Sequence, residues 1–403
     1  MDLRNFLRRT MREGALRLRI PGATLDLGDG TGPQIAAALT DPVWFARVAA
    51  RPGLELGEAY MAGALVIEQG DLYGFLDLLT RNIPAQTPAG GPLARWWSDL
   101  RMQANSRRAA RRNARSHYDL SVDFYRRFLD DDLQYSCAYF TQPDMSLEEA
   151  QAAKKRHIAA KLRIEQGHRV LDIGCGWGGL ALTLARDLGA EVDGVTLSPE
   201  QLAVAQARAR DAGVADRARF HLTDYRDVQG RYDRIVSVGM FEHVGRPHYK
   251  AYFEAVAARL ADDGLALVHA IGRSEGPGVT QPWVARRIFP GGYIPALSEV
   301  LPAIERAGLM VTDIEILRLH YAETLRAWRE RFLTRRSEAA ALYGEQFCRM
   351  WEFYLVVSEL AFRRRGHMVF QIQLARRIEA APITRDYMYK AEQALAGPRR
   401  IAA

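Results

Sequence analysis

The stretch Val170-Leu171-Asp172-Ile173-Gly174-Cys175-Gly176-Trp177-Gly178-Gly179 constrains this chain more than any other. A short apolar run ends near Asp172, three glycines let the backbone turn tightly and approach a ligand closely, and Leu180 to Leu188 carry an apolar helical pattern. Strand, glycine turn and helix in that order predict a nucleotide-type cradle.

Taken alone the GxGxG pattern also fits a dinucleotide dehydrogenase. The second strand separates the two readings. A dehydrogenase would end it on an acidic residue about twenty positions on, for the adenosine ribose. Here Glu191-Val192-Asp193-Gly194-Val195 runs into Thr196-Leu197-Ser198-Pro199-Glu200-Gln201. Thr196 and Gln201 suit a ribose, but nothing implies a pyrophosphate site, and S-adenosylmethionine fits better than NAD.

A length of 403 residues allows two or three domains and an ordinary buried core. No segment approaches the roughly 20 apolar residues of a membrane span, and the N-terminus lacks a hydrophobic signal core, so a cytoplasmic location is expected. Cys137, Cys175 and Cys348 are too widely spaced for a disulfide framework or a zinc site. A net charge of +7 favours an anionic partner surface, nucleic acid or acidic lipid, unless the arginines are simply solvated.

Residues 1–83 read as a small, mostly helical domain with some strand. Met1 to Ile20 predicts a basic amphipathic helix with Leu3, Phe6, Leu7 and Met11 on one stripe. Thr24 to Gly32 reads as strand and turn, and helices follow at Asp41 to Ala50, Leu56 to Met61 and Asp71 to Arg81. Residues 84–115 read as a linker that ends in a basic run, five arginines between Arg107 and Arg115. No aromatic or nucleic-acid reading motif stands beside that run, which leaves a solvated linker or a contact with acidic lipid headgroups.

Residues 116–403 form the expected catalytic domain. Ser146 with Glu149 predicts the start of a helix from Leu147 to Ile164. Strands at Glu191 to Val195, Ala218 to Leu222, Tyr232 to Val238 and Leu265 to Ala270 alternate with helices, which predicts an α/β doubly wound sheet with ligands at the carboxyl ends of its strands. Gly272 to Leu297 is long enough to be a lid. Leu301 to Ala307 reads as helix and Met310 to Leu319 as a further strand. Leu325 to about Leu374 reads as helix rich in aromatics, mostly core, with part available to line an acyl channel.

Eight segments, in order, resemble the cyclopropane fatty acid synthase family, which includes the mycolic acid cyclopropane synthases. They are His117-Tyr118-Asp119, Tyr135-Ser136-Cys137, the Asp172 to Gly179 loop, Thr196-Leu197-Ser198 with Gln201, Asp224-Tyr225-Arg226-Asp227, Met240-Phe241-Glu242-His243-Val244-Gly245, Phe289-Pro290-Gly291-Gly292-Tyr293 and His320-Tyr321-Ala322-Glu323-Thr324-Leu325. The resemblance covers about Arg115 to Ile378. Leu56-Gly57-Glu58-Ala59-Tyr60-Met61 also looks like the N-terminal domain of the longer bacterial members.

The resemblance implies a Rossmann-like class I methyltransferase sheet. It implies that Tyr135, Ser136, Gly174, Gly176, Thr196, Leu197 and Gln201 contact S-adenosylmethionine, with Asp224 and Tyr225 near its adenine. It further implies a bicarbonate ion held by Cys137, Glu242, His269, the backbone at Ile271 and Tyr321. A phospholipid bilayer partner, peripheral membrane association and a homodimer follow from the same likeness, with no nucleic acid and no metal. The implied reaction adds a methylene group to the cis double bond of an unsaturated phospholipid acyl chain. Alkene methylation without ring closure, as in branched-chain or furan fatty acid pathways, small-molecule amine methylation and non-enzymatic binding stand as alternatives.

These residues also have bland readings. His269 at a strand end could be a satisfied core histidine, Tyr321 a half-buried strand aromatic, and Cys137 a small hydrophobe. Glu242 is harder to explain as packing, because a buried carboxylate without a partner is costly.

Overall fold

Leu16, Leu18 and Ile20 alternate with Arg17 and Arg19, and this period of two makes Ala15–Ile20 a strand with its leucines buried and its arginines exposed. The expected basic helix is therefore confined to Leu3–Thr10 (α1). The computed structural model describes residues 3–83 and 120–397; the linker, its basic run and the His117-Tyr118-Asp119 motif lie outside the described residues. Ala15–Ile20 (β1), Ala23–Leu27 (β2) and Gln34–Ala38 (β3) are followed by Pro42–Ala50 (α2), Pro52–Met61 (α3), Val66–Gln69 (β4) and Leu72–Asn82 (α4). The strands form a sheet in the order β2-β1-β3-β4. Asp41 caps α2 by accepting from the N–H groups of Val43 and Trp44, and Asp71 caps α4 through Gly74.

Further on, Val122–Tyr125 (α5) precedes Leu147–Lys161 (α6), which opens on the expected reciprocal cap: Ser146 Oγ accepts from Glu149 N–H, and the Glu149 carboxylate accepts from Ser146 N–H. Arg169–Ile173 (β5), Gly179–Leu188 (α7), Glu191–Thr196 (β6), Pro199–Asp211 (α8), Ala218–Leu222 (β7), Tyr232–Val238 (β8), Tyr249–Arg259 (α9) and Leu260–Arg273 (β9) then alternate as the sequence predicts. Pro282–Arg287 (α10), Leu297–Arg306 (α11), Met310–Leu317 (β10), His320–Thr334 (α12), Arg336–Tyr343 (α13), Glu345–Arg364 (α14), His367–Ala375 (β11) and Asp386–Ala396 (α15) complete the order.

The seven-stranded sheet runs β10-β11-β9-β8-β5-β6-β7. β9, β8, β5, β6 and β7 are mutually parallel, while β10 and β11 pair antiparallel. The strand order reverses between β5 and β8, and this is where a ligand crevice opens in such sheets. Val170 and Leu171 face opposite sides and belong to separate apolar cores. This is the doubly wound α/β fold expected, with one correction. The segment from Leu325 to about Leu374, read as helix, is helical only as far as Arg364, in α12, α13 and α14, and then becomes β11, a strand inside the sheet. Every residue of β11 after His367 is buried, so it lacks the polar alternation that would mark it as a strand.

Packing divides the described residues into two compact units, 3–83 with 279–290 and 322–367, and 120–278 with 291–321 and 368–397. Two segments expected in the catalytic domain thus group with the N-terminal residues. Their aromatic side chains account for it. Trp283 of α10 sits over Gly57 of α3, where a Cβ would come within 2.6 Å of the indole, and Phe353 of α14 packs against both Tyr60 and Trp283. Glu58 pairs with Arg287, and Asp77 with Arg364. The excursion expected as a lid therefore contains a short helix that belongs to this first core.

Candidate active site

All fourteen residues singled out for cofactor and ion lie in the second unit; those from Gly174 to Ile271 sit on or just after the carboxyl ends of its parallel strands, Tyr135, Ser136 and Cys137 lie in the loop before α6, and Tyr321 opens α12. Gly174, Gly176 and Gly178 have φ of 83°, 54° and 84°, so the turn after β5 is left-handed at alternate residues. A Cβ on Gly174 would come 2.8 Å from Met240, whereas one on Gly176 would enter open space. The cradle is thus packed beneath Gly174 and clear above Gly176. Gly174 and Cys175 both donate to Val195 O, tying the turn to β6. Asp172 is buried, and its Oδ2 meets no partner. Burial raises its pKa to about 7, against a smaller opposing pull from Lys154.

At the end of β6, Thr196 Oγ1 donates to Gln201 Oε1 at 2.9 Å, and Ser198 caps α8 through Gln201 N–H. Leu197 beside them is half-buried. After β7, Asp224 is buried and held by Arg226 in a two-pronged ion pair at 2.8 and 2.6 Å, while Tyr225 stands edge-on to Tyr252. The carboxylate expected near adenine is thereby fixed in place by its own neighbour.

Tyr135, Ser136 and Cys137 are held from α6. Gln151 and Lys154 stand three residues apart on one helix face, and both are fully buried. Gln151 Nε2 donates to the carbonyls of Gln134 and Ser136, and Lys154 Nζ donates to Gln134 Oε1 at 2.6 Å and Ser136 Oγ at 2.8 Å. Tyr135 packs edge-on against Tyr125, which leans on Trp177 of the glycine turn.

Glu242 follows β8 in a single 3-10 turn and is only 8% exposed. Its Oε1 accepts from Ile271 N–H at 2.6 Å, and Oε2 has no partner. That N–H therefore holds Glu242, whatever part the Ile271 backbone plays toward an ion. Burial raises the Glu242 pKa to about 7. His269, opposite Val238 in the β8–β9 register, is 1% exposed, and its Nδ1 lies 3.0 Å from Gln371 Nε2 of β11. With the amide donating to Nδ1, the ring proton sits on Nε2, which has no partner. Burial keeps this imidazole neutral, well below its usual pKa. Tyr293 N–H donates to Glu242 O and steadies the turn. Cys137 and Tyr321 are buried as well. Neither is hydrogen-bonded to Glu242 or His269 among the described residues; beside Tyr321, His320 Nδ1 accepts from Phe140 N–H, three residues after Cys137.

Gln151, Lys154, Gln371 and Tyr293 were not anticipated as parts of the site. A lysine beside Lys155 and Arg156 reads as a solvated helix face, and Gln371 lay in a segment read as helix. Tyr293 has a signal in its place within the Phe289 to Tyr293 motif, which by itself gives no role.

The model of the mycolic acid cyclopropane synthetase family matches residues 105–372, well over half of the chain. The chain belongs to this family. Among curated relatives of this cyclopropane synthase family, the cyclopropane-fatty-acyl-phospholipid synthase of Escherichia coli K12 is 39% identical over 84% of the chain and 87% of that protein. A probable fatty acid methyltransferase of Pseudomonas putida is 36% identical over 93% and 96%. The mycolic acid cyclopropane synthase CmaA1, solved in complex with SAH and CTAB, aligns at 33% identity with a TM-score of 0.63, over 66% of this chain and 97% of that one. The chain is an S-adenosylmethionine-dependent methyltransferase of the cyclopropane synthase type, and the class I methyltransferase fold expected of it is the one found. Among the described residues no helix is long and apolar enough to cross a membrane.

Proposed function

We propose that this enzyme transfers a methylene group from S-adenosylmethionine to the cis double bond of an unsaturated phospholipid acyl chain and closes a cyclopropane ring. One alkene carbon would take the methyl of bound S-adenosylmethionine as its carbon–sulfur bond breaks and S-adenosylhomocysteine leaves, positive charge would develop on the other carbon, and loss of a proton from the added methyl would close the ring. An alkene is a weak nucleophile, and its cation reacts with water, so the protein must align the chain and keep the site dry.

The observation that carries the reading is the pair of unpartnered polar atoms, Glu242 Oε2 and His269 Nε2, buried at adjacent strand ends. Buried polar atoms without partners are rare unless a ligand completes them. A neutral histidine donor and a carboxyl whose pKa is about 7 suit a small oxyanion, and neither needs a cation to balance it. Bicarbonate, when bound there, supplies the base that accepts the methyl proton. Glu242 would orient it while anchored to Ile271 N–H, with Cys137 and Tyr321 closing the pocket. Acyl chains reside in bilayers, and a net charge of +7 suits an acidic lipid surface, so the enzyme would work at that surface.

Incubation with methyl-labelled S-adenosylmethionine, bicarbonate and liposomes of unsaturated phospholipid should place label in the acyl chains. Label on an amine or hydroxyl instead would overturn the reading. The Pseudomonas putida relative, matched over nearly its whole length, is named only as a probable fatty acid methyltransferase, which leaves room for a second outcome, alkene methylation without ring closure. Ring and methylene products of equal mass are separated by proton NMR of the lipid, through cyclopropane or vinylidene signals.

A further inference from the structure

Lys154 is a buried ammonium with an unusual set of partners. Its side chain is 0% exposed, and among the described residues no carboxylate lies within ion-pair distance. Lys161, about two helical turns further along α6, is equally buried but pairs with Glu315. Lys154 has only two neutral oxygens, Gln134 Oε1 and Ser136 Oγ, for three N–H donors. The carboxylates of Asp130, Asp132 and Asp172 act on it only from beyond ion-pair distance, and a charge held this way stays expensive to bury unless an anion comes closer. Burial brings its pKa down to about 8, which still leaves most of it protonated at neutral pH.

The geometry at Ser136 says where that charge is directed. Lys154 occupies the Ser136 oxygen as acceptor, so the hydroxyl proton must point elsewhere, and it meets no acceptor among the described residues. Gln151 holds the Ser136 carbonyl from the same helix face, so the residue cannot rotate away.

We propose that Lys154 is a positioning residue for the α-carboxylate of the cofactor's methionine portion, acting through Ser136: the ammonium turns the serine hydroxyl into an obligate donor aimed at the carboxylate and supplies the opposing charge behind it. This rests on the reading that Ser136 contacts the cofactor.

The test compares calorimetric binding of S-adenosylhomocysteine and its decarboxylated analogue, which keeps adenosine, sulfur and amine. Lys154→Met should weaken the first on the order of tenfold or more, the loss expected when a hydrogen bond to a charged group goes. It should change the second less than about twofold on the same scale. Ser136→Ala, which keeps the lysine, should show the same selective loss, and the double variant should lose little more than either alone. Equal weakening of both ligands, or no weakening of either, overturns the proposal. If Lys154→Met does not fold, Ser136→Ala alone decides, because a hydroxyl with no part in carboxylate recognition would leave the two ligands' ratio unchanged. Failure of the unmutated protein to bind S-adenosylhomocysteine would instead overturn the cofactor reading beneath it.

Discussion

Glu242 combines two properties that normally exclude each other, deep burial and one unsatisfied carboxylate oxygen. Its pKa rises from an ordinary 4.5 to about 7 on folding. The folded protein therefore holds this proton where the unfolded chain has released it, and stability falls as pH climbs through that window. Glu242→Gln keeps the acceptor for Ile271 N–H and imitates the protonated acid. Urea unfolding of the ligand-free proteins should find the two within about 1 kcal/mol at pH 5, with the variant ahead by up to about 3 kcal/mol at pH 7.5. A constant difference across that range would contradict the assignment. Turnover of the same variant should drop on the order of a hundredfold while S-adenosylhomocysteine affinity holds, as expected when only a group acting on the developing charge is altered. At this scale the sequence was legible where chemistry is written in the backbone. Gly174, Gly176 and Gly178 announce left-handed turns by having no side chain, and Glu242 is conspicuous as a carboxylate just beyond a buried strand. Lys154 and Gln371 gave no such sign, because what covers them is settled by the fold: the loop at Gln134 and Ser136 closes over the first, and His269 of a neighbouring strand faces the second.

Elements show the same division. β5 to β8 and α6 to α8 stand where periodicity and the Ser146 cap predict them, since each carries its own boundary signals. β1 was absorbed into a helix because Arg8, Arg9, Arg17 and Arg19 make one continuous basic stretch, and β11 because a strand buried on both faces has the composition of a helix core. α3 exposes a further limit of pattern reading. Gly57 lies inside a helix, where glycine is normally unfavourable by about 1 kcal/mol, yet Trp283 uses the space its missing side chain leaves. Gly57→Ala gains helix propensity but drives a methyl into a fully buried indole. We expect the overlap to win, lowering stability by about 1–3 kcal/mol in thermal or urea unfolding. S-adenosylhomocysteine binding should be unchanged, because the cradle belongs to the other compact unit. A more stable variant would mean that Trp283 relocates freely.

For the whole molecule, the point that no stretch of sequence announced is that the first unit is discontinuous. Residues 3–83 looked like a domain because a linker-like composition follows them, but their helices α3 and α4 are covered by α10 and α14, which arrive from the far side of the nucleotide cradle in sequence. Tyr60 packs against Phe353, Gly57 accommodates Trp283, and the charges of Glu58 and Asp77 are answered by Arg287 and Arg364. A fragment of residues 1–95 made alone would expose the apolar faces that these partners bury, and domains this small already have little stability to spare. It should therefore show no cooperative thermal transition and should bind a hydrophobic dye, while the full chain melts sharply and binds little. A dispersed NMR spectrum with a sharp transition for the fragment would show instead that the four-stranded sheet and α1 to α4 suffice, and that the later segments dock onto a domain already formed. The distinction bears on function as well as folding, because a unit completed only by segments leaving and re-entering the catalytic sheet cannot fold independently of the chain that carries the active site.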